Sequence, residues 1–496
     1  MRDVDLHGLG RTVKHAIAAL ASRTVIHQLV LLAGTVALTR LLGPLDFGVF
    51  AIVQSALAVL VVFGDTGVGG ALVRQREEPT DRQLASVLYL QVAVSAGMMA
   101  VTMALAGWLP RIWPDLPASA PLLLRVMAVD FLLVSVRTPP LILMERRLEF
   151  TRLSVIDVAE STAFYIVAVA LAASGFGAWA LVSGVIAKGV LTTLLIYGLS
   201  SWRPRLTFAV ADLKPLIRFG VAQQLRHVAE LVNAGVGPVV GGRMLGTAAV
   251  GYLTWALSTA YFATKVGDIL ARIGFPLFSR LQHDRALVGE SLGRMIHVTA
   301  FAVFAWIGLC LGLGEQLTLV VFSAKWLPAV PVLTIYAGAV LIGFLSTLVA
   351  PALDALGKPG LFTKFVVGWT ILTWIAVPFA TARWQLVGFA IGFATHIVVG
   401  NAAIAIVMHR LLPETRFFQR VRGPLLACAA VAILGRLVLA SRATGLLSLG
   451  VSVVIAAVVY IGVAWTIDGR ALLRATSLVP QADDRPGELA YTAVAS

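Results

Sequence analysis

A chain of 496 residues that is 59% hydrophobic and 13% charged has too little polar surface to cover a water-soluble core. In a soluble protein a formal charge of +14 would point to nucleic acid; here the long Leu-, Val- and Ala-rich stretches exclude that reading and place the chain in a bilayer. The stretches approach the ~20 residues that a helix needs to cross a membrane and lack the alternation of a barrel strand, so the fold class is all-α and polytopic.

In chain order, hydropathy and breaker residues predict fourteen spans. Six lie near 18–38, 47–63, 84–108, 122–144, 155–173 and 178–199, and six near 216–240, 248–266, 295–313, 332–353, 365–380 and 386–408. Two more, 424–439 and 446–467, stand apart. The domains follow: a first lobe over 1–200, a cytoplasmic linker over 201–215, a second lobe over 216–408, two added spans within 409–467 and a cytoplasmic tail over 468–496. No cleavable leader is expected, because the first hydrophobic stretch carries Arg23 and His27. The segment 267–294 reads as an amphipathic helix along the cytoplasmic interface.

The two lobes repeat each other. Arg40-Leu41-Leu42-Gly43 followed by Gly48 returns as Arg243-Met244-Leu245-Gly246 followed by Gly251, and Gly64-Asp65 returns as Gly267-Asp268, all at an offset of 203. Pro139 with Phe150-Thr151-Arg152 returns as Pro351 with Phe362-Thr363-Lys364 at an offset of 212. An even number of spans per lobe makes the repeat parallel, and internal repeats of this kind point to a transporter with its site between the halves. With a cytoplasmic N-terminus, 27 Lys and Arg fall in cytoplasmic loops and 6 in outer ones, which fixes the orientation and accounts for most of the net charge.

Six bases remain inside spans: Arg23, Arg125, Arg137, Lys188, Arg226 and Arg436. A lone charge in hydrocarbon costs about 3 kcal/mol even on permissive scales, so such residues face a cavity, a partner or a head-group. Arg436 lies near a span end and can snorkel. Arg226 has Glu230 one turn on, and Arg137 has Asp130 two turns back, whereas Lys188 has no acid within a turn of it. Either these are structural pairs, or Arg23, Arg125, Arg137, Lys188 and Arg226 bind an anionic substrate, with Asp130 and Glu230 as ion-coupling candidates. Asp157 and Glu160 in a first helical region, and the repeat mates Asp65 and Asp268 at helix ends, read as structural. The Arg-x-Leu-Gly repeats read as shapers of the two outer turns. Cys310 and Cys428 sit alone in apolar runs and read as packing. No catalytic set, metal cluster or cofactor motif is present, and Gly67–Gly70 lacks the Lys and Ser/Thr of a phosphate loop.

Arg40-Leu41-Leu42-Gly43-Pro44-x-x-Phe47-Gly48, Gly64-Asp65-x-Gly67, Ala71-Leu72-Val73, Phe275-Pro276-x-Phe278-Ser279-Arg280-Leu281-Gln282 and Phe322-Ser323-x-Lys325-Trp326-x-x-Ala329 resemble bacterial oligosaccharide flippases of the polysaccharide transporter family. Ser323 departs from the pattern, where glycine is more usual. The resemblance implies the fold of the multidrug/oligosaccharidyl-lipid/polysaccharide exporter superfamily, two six-helix lobes and two added helices. It also implies movement of undecaprenyl-pyrophosphate-linked oligosaccharide across the bacterial inner membrane, for lipopolysaccharide or exopolysaccharide. The partners it implies are that lipid-linked oligosaccharide, membrane lipids, and a polysaccharide polymerase with glycosyltransferases, not nucleic acid. Rival readings are a lipid-linked peptidoglycan precursor flippase or a cation-coupled drug exporter on the same scaffold, and then a polytopic O-antigen polymerase or glycosyltransferase. A drug exporter would place acids rather than bases in its first lobe, and the polymerase would need a larger outer loop than 110–121 or 315–331.

Overall fold

The computed structural model describes residues 27–64, 72, 77–147, 149–205, 207–209, 228–443 and 445–475. Among them every regular element is helical. The first lobe contains α1 (His27–Leu41), α2 (Pro44–Gly64), α3 (Asp81–Ile112), α4 (Ala120–Arg146), α5 (Phe150–Ala173) and α6 (Ala178–Leu199). The second contains α7 (228–244), α8 (247–281), α9 (Arg285–Phe322), α10 (Ala324–Ala355), α11 (359–383) and α12 (386–411), and α13 (Pro413–Leu439) and α14 (Leu446–Ala475) complete the bundle. The all-α, fourteen-rod architecture is the one that the hydropathy pattern requires.

Local chemistry sets the ends of these rods. Thr80 accepts a hydrogen bond from the Gln83 amide while the Gln83 side chain accepts one from the Thr80 amide, so both ends of a capping box open α3. Asp284 caps α9 through the Leu287 amide at 3.1 Å. Pro44 starts α2, where its missing N–H costs nothing, and Asp46 in the first turn accepts from the Gly43 amide at 2.9 Å.

The run Pro359–Leu411 covers 53 residues that are helical on either side of one break. A straight helix of that length would be ~80 Å long, far beyond a hydrocarbon core of ~30 Å. Trp384 and Gln385 leave helical geometry, Gln385 with φ 52° and ψ −131°. Beyond them Gly388 and Gly392 pack on Ala380 and Val377 so closely that a Cβ at Gly388 would lie 2.1 Å from the Ala380 carbonyl oxygen. Thus α11 and α12 form a hairpin, folded at the boundary between two expected spans.

One continuous apolar core runs through the second lobe into α13 and α14, with Phe304, Tyr336, Phe344 and Phe389 fully buried. Gly308 and Gly312 let α9 approach α13 at Cys428, Val431 and Gly435. The first lobe has several smaller clusters instead. The latter part of α8, Lys265–Leu281, turns Gly267, Leu270, Gly274, Leu277, Phe278 and Leu281 inward, a helical stripe that packs on α9 and α10. It is the first part of the amphipathic segment expected over 267–294, continuing α8 and docked against the lobe; the remainder, from Arg285, opens α9 with Val288, Leu292 and Arg294 buried. The lobes meet most closely where α2 crosses α8. A Cβ at Gly48 would lie 1.9 Å from the Thr247 carbonyl oxygen, and one at its repeat mate Gly251 would lie 1.9 Å from that of Pro44. Only glycine permits this reciprocal approach.

Candidate functional site: the chamber between the lobes

Below the α2–α8 crossing the lobes separate around a cavity of about 740 Å³. The first lobe contributes Gln28 and Thr35 from α1, Gln54 from α2 and Tyr165 from α5; the second contributes Asn233 from α7, Ser258 from α8 and His396 from α12. Between these polar groups lie the rings of Phe50, Phe164, Trp255, Phe262, Trp306, Phe322 and Phe393. Hydrogen bonds and ring contacts, several between lining residues themselves, hold the wall. Tyr165 Oη lies 3.1 Å from Thr35 Oγ1, His27 Nε2 lies 2.8 Å from Ser161 Oγ, and Trp306 Nε1 donates to the Thr259 carbonyl at 2.7 Å. Phe262 and Trp306 pack with ring centroids 5.2 Å apart.

Amides, hydroxyls and aromatic faces form a surface that hydrogen-bonds neutral hydroxyls and covers C–H faces. At this wall Trp255 Nε1 and Asn233 Oδ1 are buried without a protein partner, and an unmet buried polar group costs about 1–3 kcal/mol. Lys265, the cationic Lys or Arg among the described lining residues, is ion-paired to Asp268 at 3.1 Å.

Toward the end of the bundle that carries most basic loops, the first lobe holds charged side chains. Lys188 Nζ lies 2.9 Å from Glu160 Oε1, and Thr192 Oγ1 donates to Glu160 Oε2 at 2.8 Å. Lys188 is two helical turns along α6 from the cavity-lining Leu181, and Glu160 one turn along α5 from the cavity-lining Phe164, so the pair lies beyond the cavity lining on the same helical faces. The sequence shows no acid near Lys188 on its own helix; the neighbouring helix supplies one. Behind it, Asp130 on α4 fits against Gly189, where a Cβ would lie 2.8 Å from Asp130 Oδ1. Asp130 is within electrostatic reach of Arg137, Lys188 and Glu160, and Arg137 Nη1 is buried without a hydrogen-bond partner. Two acids and two bases thus form a self-neutralised group in the first lobe. Across the lobes, Asp157 on α5 is within electrostatic reach of Arg272 on α8.

The structure therefore brings together Arg137, Lys188 and Asp130 but not every candidate. Arg125 is exposed on α4, apart from this group. Arg23, Arg226 and Asp65 lie outside the described residues. Glu230 lines a separate cleft of about 390 Å³ in the second lobe with Asp354, Ser346 and Thr347. Arg436 donates from Nε to the Leu311 carbonyl at 3.0 Å, a contact at the end of its span. At Ser323 the backbone takes a positive φ (φ 157°, ψ 166°), a conformation glycine favours, and the turn closes through Ser323 N to Thr318 O at 2.8 Å and Trp326 N to Ser323 O at 3.1 Å, so the departure from glycine falls where the backbone suits glycine. Sequence reasoning missed the neutral wall, since Gln28, Gln54, Asn233 and Ser258 come from four rods and share no motif.

A family model described as polysaccharide biosynthesis protein matches residues 37–331, across α1 to the start of α10 and so across both lobes that form the chamber. The chain belongs to the polysaccharide biosynthesis protein family. Family members similar to it include the teichuronic acid biosynthesis protein TuaB of Bacillus subtilis (strain 168), 24% identical over 75% of this chain and 77% of that one. The lipopolysaccharide biosynthesis protein WzxC of Escherichia coli (strain K12) is 23% identical over 80% and 81%. The succinoglycan biosynthesis transport protein ExoT of Rhizobium meliloti (strain 1021) is 27% identical over 60% of each chain. Among solved structures, the lipid II flippase MurJ in an inward closed conformation superposes with a TM-score of 0.69 at 10% identity, over 92% of this chain and all of that one. An inward-facing multidrug resistance MATE transporter follows at 0.63 and 14%, over 81% of this chain and 99% of its own. These likenesses establish the flippase and exporter fold.

Proposed function

We propose that this family member is a flippase that moves lipid-linked oligosaccharide from the cytoplasmic to the outer leaflet of the bacterial inner membrane by alternating access, with both termini cytoplasmic. The observation that carries the reading is the inter-lobe chamber, whose neutral amides, hydroxyls and rings suit a glycan, with a charged group beyond its lining that suits the diphosphate. The lipid chain stays in the bilayer, and one lobe rocks against the other. Relatives named for teichuronic acid, lipopolysaccharide and succinoglycan biosynthesis support a saccharide cargo, and a polymerase with glycosyltransferases would then act on either side of the step. A drug exporter is less well supported, because that charged group is as basic as it is acidic.

Lys188 is the residue to which the diphosphate contact is assigned. A diphosphate brought beside the pair competes with Glu160 for the ammonium, and the Arg137 guanidinium adds a second cationic donor in the same layer. Arg23, Arg125 and Arg226 remain further contacts of this proposal, and Asp130 and Glu230 its ion-coupling groups. The test is complementation of a strain lacking the protein. The parent restores surface or secreted polysaccharide; Lys188→Gln inserts at parental abundance yet leaves lipid-linked repeat units on the cytoplasmic leaflet. Normal export by a Lys188→Gln, Arg137→Gln double variant removes the diphosphate assignment, and normal export without the protein removes the flippase reading.

A further inference from the structure

We infer that the duplicated Arg-x-Leu-Gly motif is a two-fold clasp that locks the lobes together over one end of the chamber, and that its release is the step that opens that end. This rests on the rocking-lobe reading of transport but concerns a part of the molecule that the reading leaves unexplained. From the first copy, Arg40 donates from Nε to the Val321 carbonyl at 2.7 Å and from Nη2 to that of Val320, both in the second lobe. Lys325 Nζ returns a bond to the Arg40 carbonyl at 2.7 Å, and Trp326 Nε1 donates to the Thr39 carbonyl at 2.8 Å. From the second copy, Arg243 Nη1 donates to the Ile112 carbonyl in the first lobe at 2.8 Å, and Trp113 Nε1 donates to the Pro238 carbonyl in the second at 2.8 Å. Each copy thus pairs an arginine with an indole across the lobe boundary.

Two features suit these contacts to repeated release. Thr39, Ile112, Val320 and Val321 lie in the last turns of their helices, where carbonyls lack intrahelical partners and the helix dipole favours a cation. The Pro238 carbonyl differs, lying inside α7 and also accepting from the Gly242 amide, so there Trp113 adds a second donor; the clasp can thus part without unwinding a helix. Between its halves sit Gly48 and Gly251, each filling the space in which the other lobe's backbone would meet a side chain. The clasp also forms the chamber's roof. Trp326 stacks on Trp255 with centroids 5.3 Å apart and takes the edge of Phe47 at 5.3 Å, and both Trp255 and Phe47 line the cavity. Trp113 and Trp326 are themselves 213 residues apart, close to the offset of 212 between the proline copies, so the indoles belong to the repeat.

The test reads the protein itself and so separates failure of the clasp from failure of the flippase reading. A cysteine at the cavity-lining Ser258 is reacted with a membrane-impermeant thiol reagent applied to the face at which an exposed Ala118→Cys reacts. In Arg40→Gln, Arg243→Gln the Ser258→Cys labelling rate rises tenfold or more over that with an intact clasp, and each single variant gives a smaller rise. Conversely, a short thiol-reactive bridge joining Arg40→Cys to Lys325→Cys holds labelling of the third cysteine at or below the rate of the unbridged protein and stops polysaccharide export, and reduction of the bridge restores both. Labelling of the double variant at the rate seen with an intact clasp, or undiminished export from the bridged protein, overturns the proposal.

Discussion

The two lobes descend from one sequence pattern yet are stabilised differently. In the second, α9 and α10 bury 61% of their most apolar windows, and a single core continues into α13 and α14. In the first, α3 to α6 bury between 17% and 39%, the core is divided, and four half-buried ionisable side chains occupy the middle stretches of their helices. What the copies share is the end of the bundle, where Arg40 and Arg243, Trp113 and Trp326, and Gly48 and Gly251 do matching work. The inter-lobe contact thus retains the repeat, and the interiors diverge: the second lobe into one continuous core that runs into two added helices, the first into divided clusters beside charged side chains.

The sharpest break of this contrast lies in the second lobe. Arg294 is 2% exposed and pairs at 2.8 Å with Glu290, which is 30% exposed and keeps Arg420 within reach, so Arg294→Ala lowers stability by about 3 kcal/mol, the low end for breaking a buried pair. Phe304→Ala opens a cavity in the continuous core at a similar cost of about 3–5 kcal/mol. In the first lobe Leu143→Ala falls near the lower end of the Leu-to-Ala range, about 2 kcal/mol, because its small cluster can collapse around the loss. Thermal unfolding in detergent orders the three; equal losses in both lobes would remove the contrast.

A smaller effect separates structure from transport within the first lobe. The Lys188–Glu160 pair is 37% and 19% exposed, so after screening its coupling energy is about 1 kcal/mol, read from a double-mutant cycle of Lys188→Gln and Glu160→Gln. The double variant recovers most of the stability of the parent but not its export. Recovery of both would make the pair purely structural. The smallest effect is at Arg436, whose exposed side chain caps a carbonyl: Arg436→Gln stays within about 0.5 kcal/mol of the parent and exports normally.

Much of this was legible from residues in order. Span lengths, the parallel repeat and the two added helices follow from hydropathy and from motifs at nearly constant offset, since a helix must bury its own backbone bonds in lipid. The partner of Lys188 was not legible, because Glu160 lies 28 residues away on a different rod and only packing of α5 on α6 brings them together. The same holds for the chamber wall, assembled from single polar residues with no shared spacing. The clasp was half legible: the repeated arginines and glycines mark a boundary, but that their partners are carbonyls of the opposite lobe is a fact of tertiary structure.

The most direct measurement is transbilayer movement itself. The purified protein is reconstituted into liposomes carrying lipid-linked oligosaccharide, and the sugar that becomes accessible to an impermeant oxidant is followed with time. The parent exposes lipid-linked sugar from the inner leaflet until the pool is exhausted, whereas Ser258→Trp, which puts an indole into the path through the chamber, leaves the protected half protected while unfolding at the parental temperature. Equal exposure by parent and Ser258→Trp, or protection unchanged by the parent, would contradict transport through the chamber.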